Sequence, residues 1–135
     1  MSKKEIIRIR DVMKTNFNIV DGMSTVADAL KTMLHVETKA LIVKKRHEDD
    51  ELGMVMLSDI AGKVLAVDKA PDRVNIYEIM IKPMIQVDPN MDIRYCARLF
   101  ARFNISRAPV VENGEVVGVV SYTDMVVKGL CKIAG

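Results

Sequence analysis

Arg107-Ala108-Pro109-Val110-Val111-Glu112-Asn113-Gly114-Glu115-Val116-Val117-Gly118-Val119-Val120-Ser121-Tyr122-Thr123-Asp124-Met125 is the stretch on which the fold turns. Two β-branched apolar runs flank Asn113-Gly114, a dipeptide whose two positions both tolerate positive φ. The stretch therefore predicts an antiparallel hairpin of 107–112 and 115–121. A helix opens at Tyr122-Thr123-Asp124 and ends near Cys131. The same words occur earlier: Lys39-Ala40-Leu41-Ile42-Val43 echoes Arg107-Ala108-Pro109-Val110-Val111, and Gly53-Met54-Val55-Met56-Leu57-Ser58-Asp59-Ile60 echoes 118–125. Further upstream, 20–30 is matched by 87–97. On this alignment the offset is 67 to 68 residues before the hairpin and 65 after it, giving the first copy three extra residues in its charged loop 45–51. Half-size units bury too little surface alone, so two copies must pack together, and packing them creates two related clefts.

Each copy reads as strand, helix, strand, hairpin, strand, helix. In the first, 6–13 is a short helical lead-in and 16–20 an entry strand. Thr25 and Asp28 have the shape of a capping box, and Val26, Ala29, Leu30, Met33 and Leu34 recur at helical spacing, so 25–36 is expected to be a helix. Strands follow at 40–44 and 52–57, then a helix from Ser58-Asp59 to about Val67. In the second copy 76–80 is a short helix and Gln86-Val87 the entry strand. Asp92 caps a helix with Ile93, Cys96, Ala97, Leu99, Phe100 and Phe103 on its apolar face. The expected divisions are repeat 1 at 9–67, a linker at 68–75 and repeat 2 at 76–131.

Half of the 135 residues are hydrophobic, enough for a core without metal or disulfide support. The two cysteines, Cys96 and Cys131, fit no zinc or redox spacing, and a reduced cytoplasmic setting is the expectation. No signal-peptide pattern and no apolar run of membrane-spanning length is present. A net charge of +2, with sparse aromatics and no Trp, argues against bulk electrostatic binding of nucleic acid. The basic residues Lys3, Lys4, Arg8, Arg10 and Lys14 keep that reading as a minor alternative. His47-Glu48-Asp49-Asp50-Glu51 lacks the spacing and glycine of a calcium loop, so no metal is expected. No Ser-His-Asp or Cys-His arrangement, P-loop or dinucleotide glycine motif occurs, so no catalysis is expected.

The order of elements, with Ala108-Pro109-Val110-Val111, the Gly114 turn, Val117-Gly118-Val119-Val120 and Thr123-Asp124, resembles the CBS domain. Two in tandem resemble a Bateman module. The first copy matches less well, with Leu41 at the family's usual proline and Met56 where Ser or Thr is common. The resemblance covers about residues 9–130. It implies an α/β (α+β) fold of two pseudo-symmetric β-α-β-β-α repeats packed sheet to sheet. It also implies a regulatory role rather than catalysis, a homodimer, and an adenosine-containing ligand such as AMP, ADP, ATP or S-adenosylmethionine in the cleft between the repeats. Since nearly all of the chain is the module, the regulated partner is expected to be a separate protein.

A ribose diol is well held by a carboxylate that accepts both hydroxyl protons, and Asp124 and Asp59 lie where strand meets helix. Thr123, Ser121 and Ser58 add hydroxyls nearby. By the resemblance, the basic residue before the second strand, Arg107 or Lys39, contacts phosphate. The resemblance likewise lines the adenine slot with Asn18, Ile19 and Val20 in one half and Ile85, Gln86 and Val87 in the other, with Ala40, Ala108 and Pro109 opposite. The second half holds the fuller set, so the occupied site is expected at Asp124 and a weaker or empty one at Asp59. Plain roles compete with each of these: both aspartates can serve as helix caps, the basic residues as solvated strand ends, and Asn18 and Gln86 as strand-edge polar groups. The alternative for the whole chain is a constitutive scaffold that kept the fold without a nucleotide.

Overall fold

The structure is a computed structural model that describes residues 5–134. In chain order its elements are α1 (Ile9–Val12), β1 (Ile19–Val20), α2 (Val26–Lys31), β2 (Ala40–Val43), β3 (Gly53–Met56), α3 (Leu57–Ile60), α4 (Ile93–Phe103), β4 (Arg107–Glu112), β5 (Glu115–Ser121) and α5 (Cys131–Ala134). Short 3₁₀ turns occupy Pro71–Arg73 and Ile76–Glu78, and π-helical turns Ala61–Leu65 and Asp124–Leu130. Two compact units result. The central unit is Asn16–Met84, and the terminal unit joins residues 5–15 to 85–134. Sequence repeats and packing units thus divide the chain differently, because each lead-in, 5–15 and 76–84, docks beside the strands of the copy that precedes or follows its own.

In the central unit β1 lies parallel to β2, and β2 pairs antiparallel with β3. Strand β2 is buried along its whole length, which suits its unbroken Ala40-Leu41-Ile42-Val43 run. Its core gathers Val20, Val26, Ala29, Leu41, Val43, Val55, Val64 and Ile76. Helix α2 starts as expected, with Thr25 Oγ1 accepting from the Asp28 N–H at 3.1 Å. It stops at Lys31 rather than near Val36. The buried Asn18 side chain accepts from the N–H groups of Leu34 at 3.0 Å and His35 at 3.1 Å, and donates to the His35 carbonyl. Those groups are thereby taken out of a helical ladder, and Leu34 and Val36 are left exposed.

In the terminal unit β4 and β5 form the expected hairpin, with Asn113 at φ 52° and Gly114 at φ 79°. Val87 bridges Val110 in parallel, as β1 does β2. Helix α4 is capped by Asp92, which accepts from the Arg94 N–H at 2.9 Å, and it closes at left-handed Asn104. Ile93, Cys96 and Phe100 are buried on its inner face, whereas Phe103 in its last turn is half exposed. The last helix runs beyond Cys131 to Ala134.

The two lead-ins dock by the same hydrogen bonds. Arg10 N donates to Pro89 O at 2.9 Å, and Tyr77 N to Gly22 O at 2.9 Å. Lys14 and Val119 exchange two backbone bonds of 2.9 Å, and Ile81 and Met54 exchange bonds of 2.9 and 3.0 Å. These matches correct the sequence alignment. Leu57 N meets Lys39 O as Tyr122 N meets Ser106 O, and Ala40 pairs with Met56 as Arg107 pairs with Ser121. The counterpart of Arg107 is therefore Ala40, and Lys39, at φ 56° outside the strand, corresponds to Ser106. Pro109 corresponds to Ile42 rather than Leu41, and the offset stays at 67 through the strand. The longer hairpin of the first copy then carries two extra residues, not three, since Gly53 follows Val43 by 10 positions and Gly118 follows Val110 by 8.

Candidate functional site

The terminal unit concentrates the expected chemistry at the junction of β5 and the final helix. Asp124 is 2% exposed, unusual for a carboxylate, and its oxygens are fully engaged. Oδ2 accepts from the Ser121 N–H and from Ser121 Oγ, both at 3.0 Å, and Ser121 Oγ in turn accepts from the Asp124 N–H at 3.2 Å. This is a reciprocal box that secures the helix start. Oδ1 accepts from Lys14 Nζ, and Lys128 Nζ stands 3.7 Å away. Arg107 lies across the hairpin from Ser121. Burial lowers its guanidinium from the ordinary value while the Asp124 charge acts the other way, so the two groups share one field. One buried carboxylate oxygen thus meets two lysines, with Arg107 paired across the hairpin from Ser121. Thr123 is exposed on the first helical turn.

Three segments converge here: the lead-in with Lys14, the strand start with Arg107, and the strand-to-helix turn with Ser121 and Asp124. Val87 is held between the backbones of Pro109 and Val111 by bonds of 3.0 and 2.9 Å, with Ala108 and Pro109 buried beside it. Ile85 is half-buried and Gln86 exposed just before it. Lys14 and Lys128 were absent from the site as read from sequence, where Lys14 counted only as part of a basic N-terminus. The repeat itself carried the signal, because Lys14 follows Met13 as Ile81 follows Met80.

The corresponding place in the central unit is chemically thinner. Asp59 Oδ2 accepts from the Met56 N–H at 2.9 Å as a first-turn cap. Ser58 is exposed within α3, not before it. Met56, Ala40 and Ile81 stand where the terminal unit has Ser121, Arg107 and Lys14. Lys39 is exposed one residue before the strand. Val20 belongs to the core, Ile19 is half exposed, and the polar atoms of Asn18 hold the turn after α2. None of the sequence-expected cations is joined to Asp59 by an ion pair among the described residues.

The basic residues of the minor nucleic-acid reading are placed as follows. Lys3 and Lys4 lie outside the described residues. Arg8 donates to Asn90 O at 2.6 Å, Arg10 bridges Asn90 and Glu112, and Lys14 is on Asp124. In the acidic loop, Lys82 holds Asp50 at 2.8 Å. Among the described residues no group of three or more His, Cys, Asp or Glu side chains is placed to hold a metal ion. No described helix is long and apolar enough to cross a membrane.

Comparison with known proteins agrees with this architecture. The model of the CBS domain matches residues 9–66 and 76–128. Uncharacterized protein MK0525 of Methanopyrus kandleri is 30% identical over 112 residues, 80% of this chain and 56% of that protein. The mitochondrial CBS domain-containing protein CBSX3 of Arabidopsis thaliana is 28% identical over 90% of this chain and 64% of its own. The chain therefore spans 56% and 64% of the length of these two relatives. Among solved structures, a hexameric CBS-CP12 protein from bloom-forming cyanobacteria superposes with a TM-score of 0.85 at 39% identity, covering 91% of this chain and 71% of that one. The CBS domain pair of protein MJ0100, in complex with 5′-methylthioadenosine and S-adenosyl-L-methionine, gives a TM-score of 0.77 at 25% identity over 95% and 99%. With both repeats matched and the hairpin-to-helix motif present twice, the chain belongs to the CBS-domain family and carries two CBS domains in tandem.

Proposed function

We propose that this CBS pair is a non-catalytic regulatory module that binds an adenosine-containing nucleotide at Asp124. The observation that carries the reading is the charge at the Asp124 carboxylate: Lys14 and Lys128 both meet Oδ1 of one buried aspartate. A ribose hydroxyl arriving at Oδ1 takes the place of Lys14 Nζ, and the released ammonium, with Arg107, meets the phosphate. Thr123 supplies a further hydroxyl. Adenine lies along Ile85, Gln86 and Val87 with Ala108 and Pro109 opposite. The cation surplus favours AMP, ADP or ATP over S-adenosylmethionine, while the adenosyl part is supported by the ligands of protein MJ0100. The set of Asp59, Ser58, Lys39, Asn18, Ile19 and Val20 forms the weaker site, since the counterparts of Arg107, Ser121 and Lys14 there are Ala40, Met56 and Ile81.

Binding shifts the module only through different affinities for its two arrangements, and the shift is passed to a regulated partner protein. Self-association belongs to the same proposal, as a homodimer formed by a second copy of this chain. Ile93, Ala97, Met125, Val126 and Leu130 line an apolar hollow in the terminal unit, and the 39%-identical CBS-CP12 relative is a hexamer. Light scattering of Val126→Glu should then report smaller particles than the native chain. A cytosolic location is consistent with the two free cysteines.

Titration calorimetry with AMP, ADP, ATP and S-adenosylmethionine tests the reading, repeated with Asp124→Ala. Saturable binding lost in the folded variant supports it. A second reading, the constitutive scaffold, is favoured by one observation: both Asp124 oxygens are already satisfied within the chain. Absence of heat and of thermal stabilisation from any of the four ligands would establish that reading instead.

A further inference from the structure

We infer that the central unit holds a separate binding site for a small anion with a flat apolar body, such as an aryl phosphate or aryl carboxylate. The site is a cleft of about 230 Å³ beyond the carboxyl ends of the parallel strands β1 and β2. Asp59 lies at the other end of the sheet, because β3 runs antiparallel to β2. Val43, Met80 and the ring of Tyr77 line the cleft with Met23, and Tyr77 and Met23 are 49% and 64% exposed, so a substantial apolar surface faces water. Lys44 and Arg46 stand at the same cleft. A second hollow, lined in part by Lys45 and Arg46, adjoins it through Asp21, Met23 and Lys44.

The charges on this rim are unevenly matched. Lys82 is tied to Asp50 at 2.8 Å. Lys44 has only Asp21 at 3.7 Å, with both side chains more than half exposed, a pair that contributes little. Among the described residues no carboxylate pairs with Lys45 or with the Arg46 guanidinium.

The duplication provides an internal control. In the terminal unit the same backbone bonds place Arg10 where the central unit has Tyr77, and Asn90 where it has Met23. There the Arg10 guanidinium donates to Asn90 Oδ1 at 3.1 and 2.9 Å and to Glu112 Oε2 at 2.8 Å. A lead-in cation meets a hairpin anion, and the chain completes its own network. In the central unit Lys44, Lys45 and Arg46 follow Val43 where Val111, Glu112 and Asn113 follow Val110. The hairpin charge is reversed, and the lead-in offers an aromatic ring instead of a cation. The group that completes this copy is an anion able to lie on Tyr77. The volume falls below the ~300 Å³ of drug-sized sites, which restricts the occupant to a small molecule. This inference does not depend on nucleotide binding at Asp124.

The experiment is a titration of the full chain, with methionine methyl groups labelled, followed by NMR with phenyl phosphate, inorganic phosphate and phenol as separate probes. Phenyl phosphate is expected to shift the Met23 and Met80 methyls saturably in the millimolar range or below, and more tightly than either fragment. Arg46→Glu and Lys44→Glu, both at exposed positions, should each weaken it by about tenfold or more, the loss of one charge-assisted contact. Importing the closure of the other copy with Tyr77→Arg and Lys45→Glu should abolish the shifts, and Asp124→Asn should leave them unchanged. Three results would each overturn the inference: no saturable shift by about 10 mM, a Kd worth under ~3 kcal/mol; insensitivity to charge reversal; or inorganic phosphate binding as tightly as phenyl phosphate.

Discussion

The same substitution at two equivalent glycines isolates how the lead-in is held. A Cβ on Gly118 would lie 2.7 Å from the backbone oxygen of Lys14 and 2.8 Å from the Met13 sulfur. A Cβ on Gly53 would lie 3.1 Å from the Met80 sulfur and 3.2 Å from the Ile81 oxygen. Neither glycine has a positive φ, so alanine tests packing rather than backbone conformation. At Gly118 the obstacle is main chain that cannot rotate away, and it belongs to the residue exchanging two 2.9 Å bonds with Val119. Overpacking of this kind costs about 1–3 kcal/mol, and weakening two hydrogen bonds adds up to about 1 kcal/mol each. Alanine regains roughly 0.4–1 kcal/mol by restricting the unfolded chain. Gly118→Ala is therefore expected to lose about 2–3 kcal/mol, or roughly 10 °C in midpoint for a chain of this size. Gly53→Ala, needing shifts of only a few tenths of an ångström, stays within about 1 kcal/mol. Urea titrations of both variants provide the assay. Equal losses at the two sites, or a smaller loss at Gly118, would refute the claim that close backbone approach holds the lead-in carrying Lys14.

Three further outcomes are expected. Asn18→Ala removes an acceptor from two N–H groups and a donor from the His35 carbonyl, in part-buried bonds, and should cost about 1–2 kcal/mol in a urea titration; a neutral result would mean water replaces the amide. The Lys82 ammonium, then the Arg46 N–H, holds the Asp50 carboxyl well below the usual carboxylate range. Its stabilising effect is therefore complete above the unfolded value of about 3.9 and is lost as pH falls toward the folded one, so the stability gap between native chain and Asp50→Asn should narrow only below about pH 4. Burial pushes the Cys96 thiol up to about 12, whereas Cys131 is exposed. Alkylation at pH 8 should thus label Cys131 in the folded protein and both thiols in urea; rapid native labelling of Cys96 would contradict its burial.

The local elements were legible because each is written in a few adjacent residues. Asn113-Gly114 specifies the turn by the φ values it tolerates, and Thr25 and Asp92 cap their helices by reaching backbone two or three residues away. Repetition of the motif established two copies and the CBS resemblance. Less was legible where apolar spacing stood in for packing. Leu34 keeps helical period with Val26, yet Asn18, 16 residues earlier, ends the helix before it. Asp124 was recognisable as the better-placed carboxylate, but its cationic surround was not, since Lys14 is 110 positions away.

The order and type of elements, the duplication and the hairpin with its adjoining aspartate were determined by the sequence alone, for they depend on short-range dihedral preferences and on patterns that repeat. Only tertiary structure decided that residues 5–15 pack with the second copy, that Ala40 rather than Lys39 is the counterpart of Arg107, and that Lys14 closes on Asp124. Each of these is a long-range choice of register or partner. A one-residue slip turns every strand side chain to the opposite face, and only the hydrogen-bonded ladder with the burial of both faces selects among the slips.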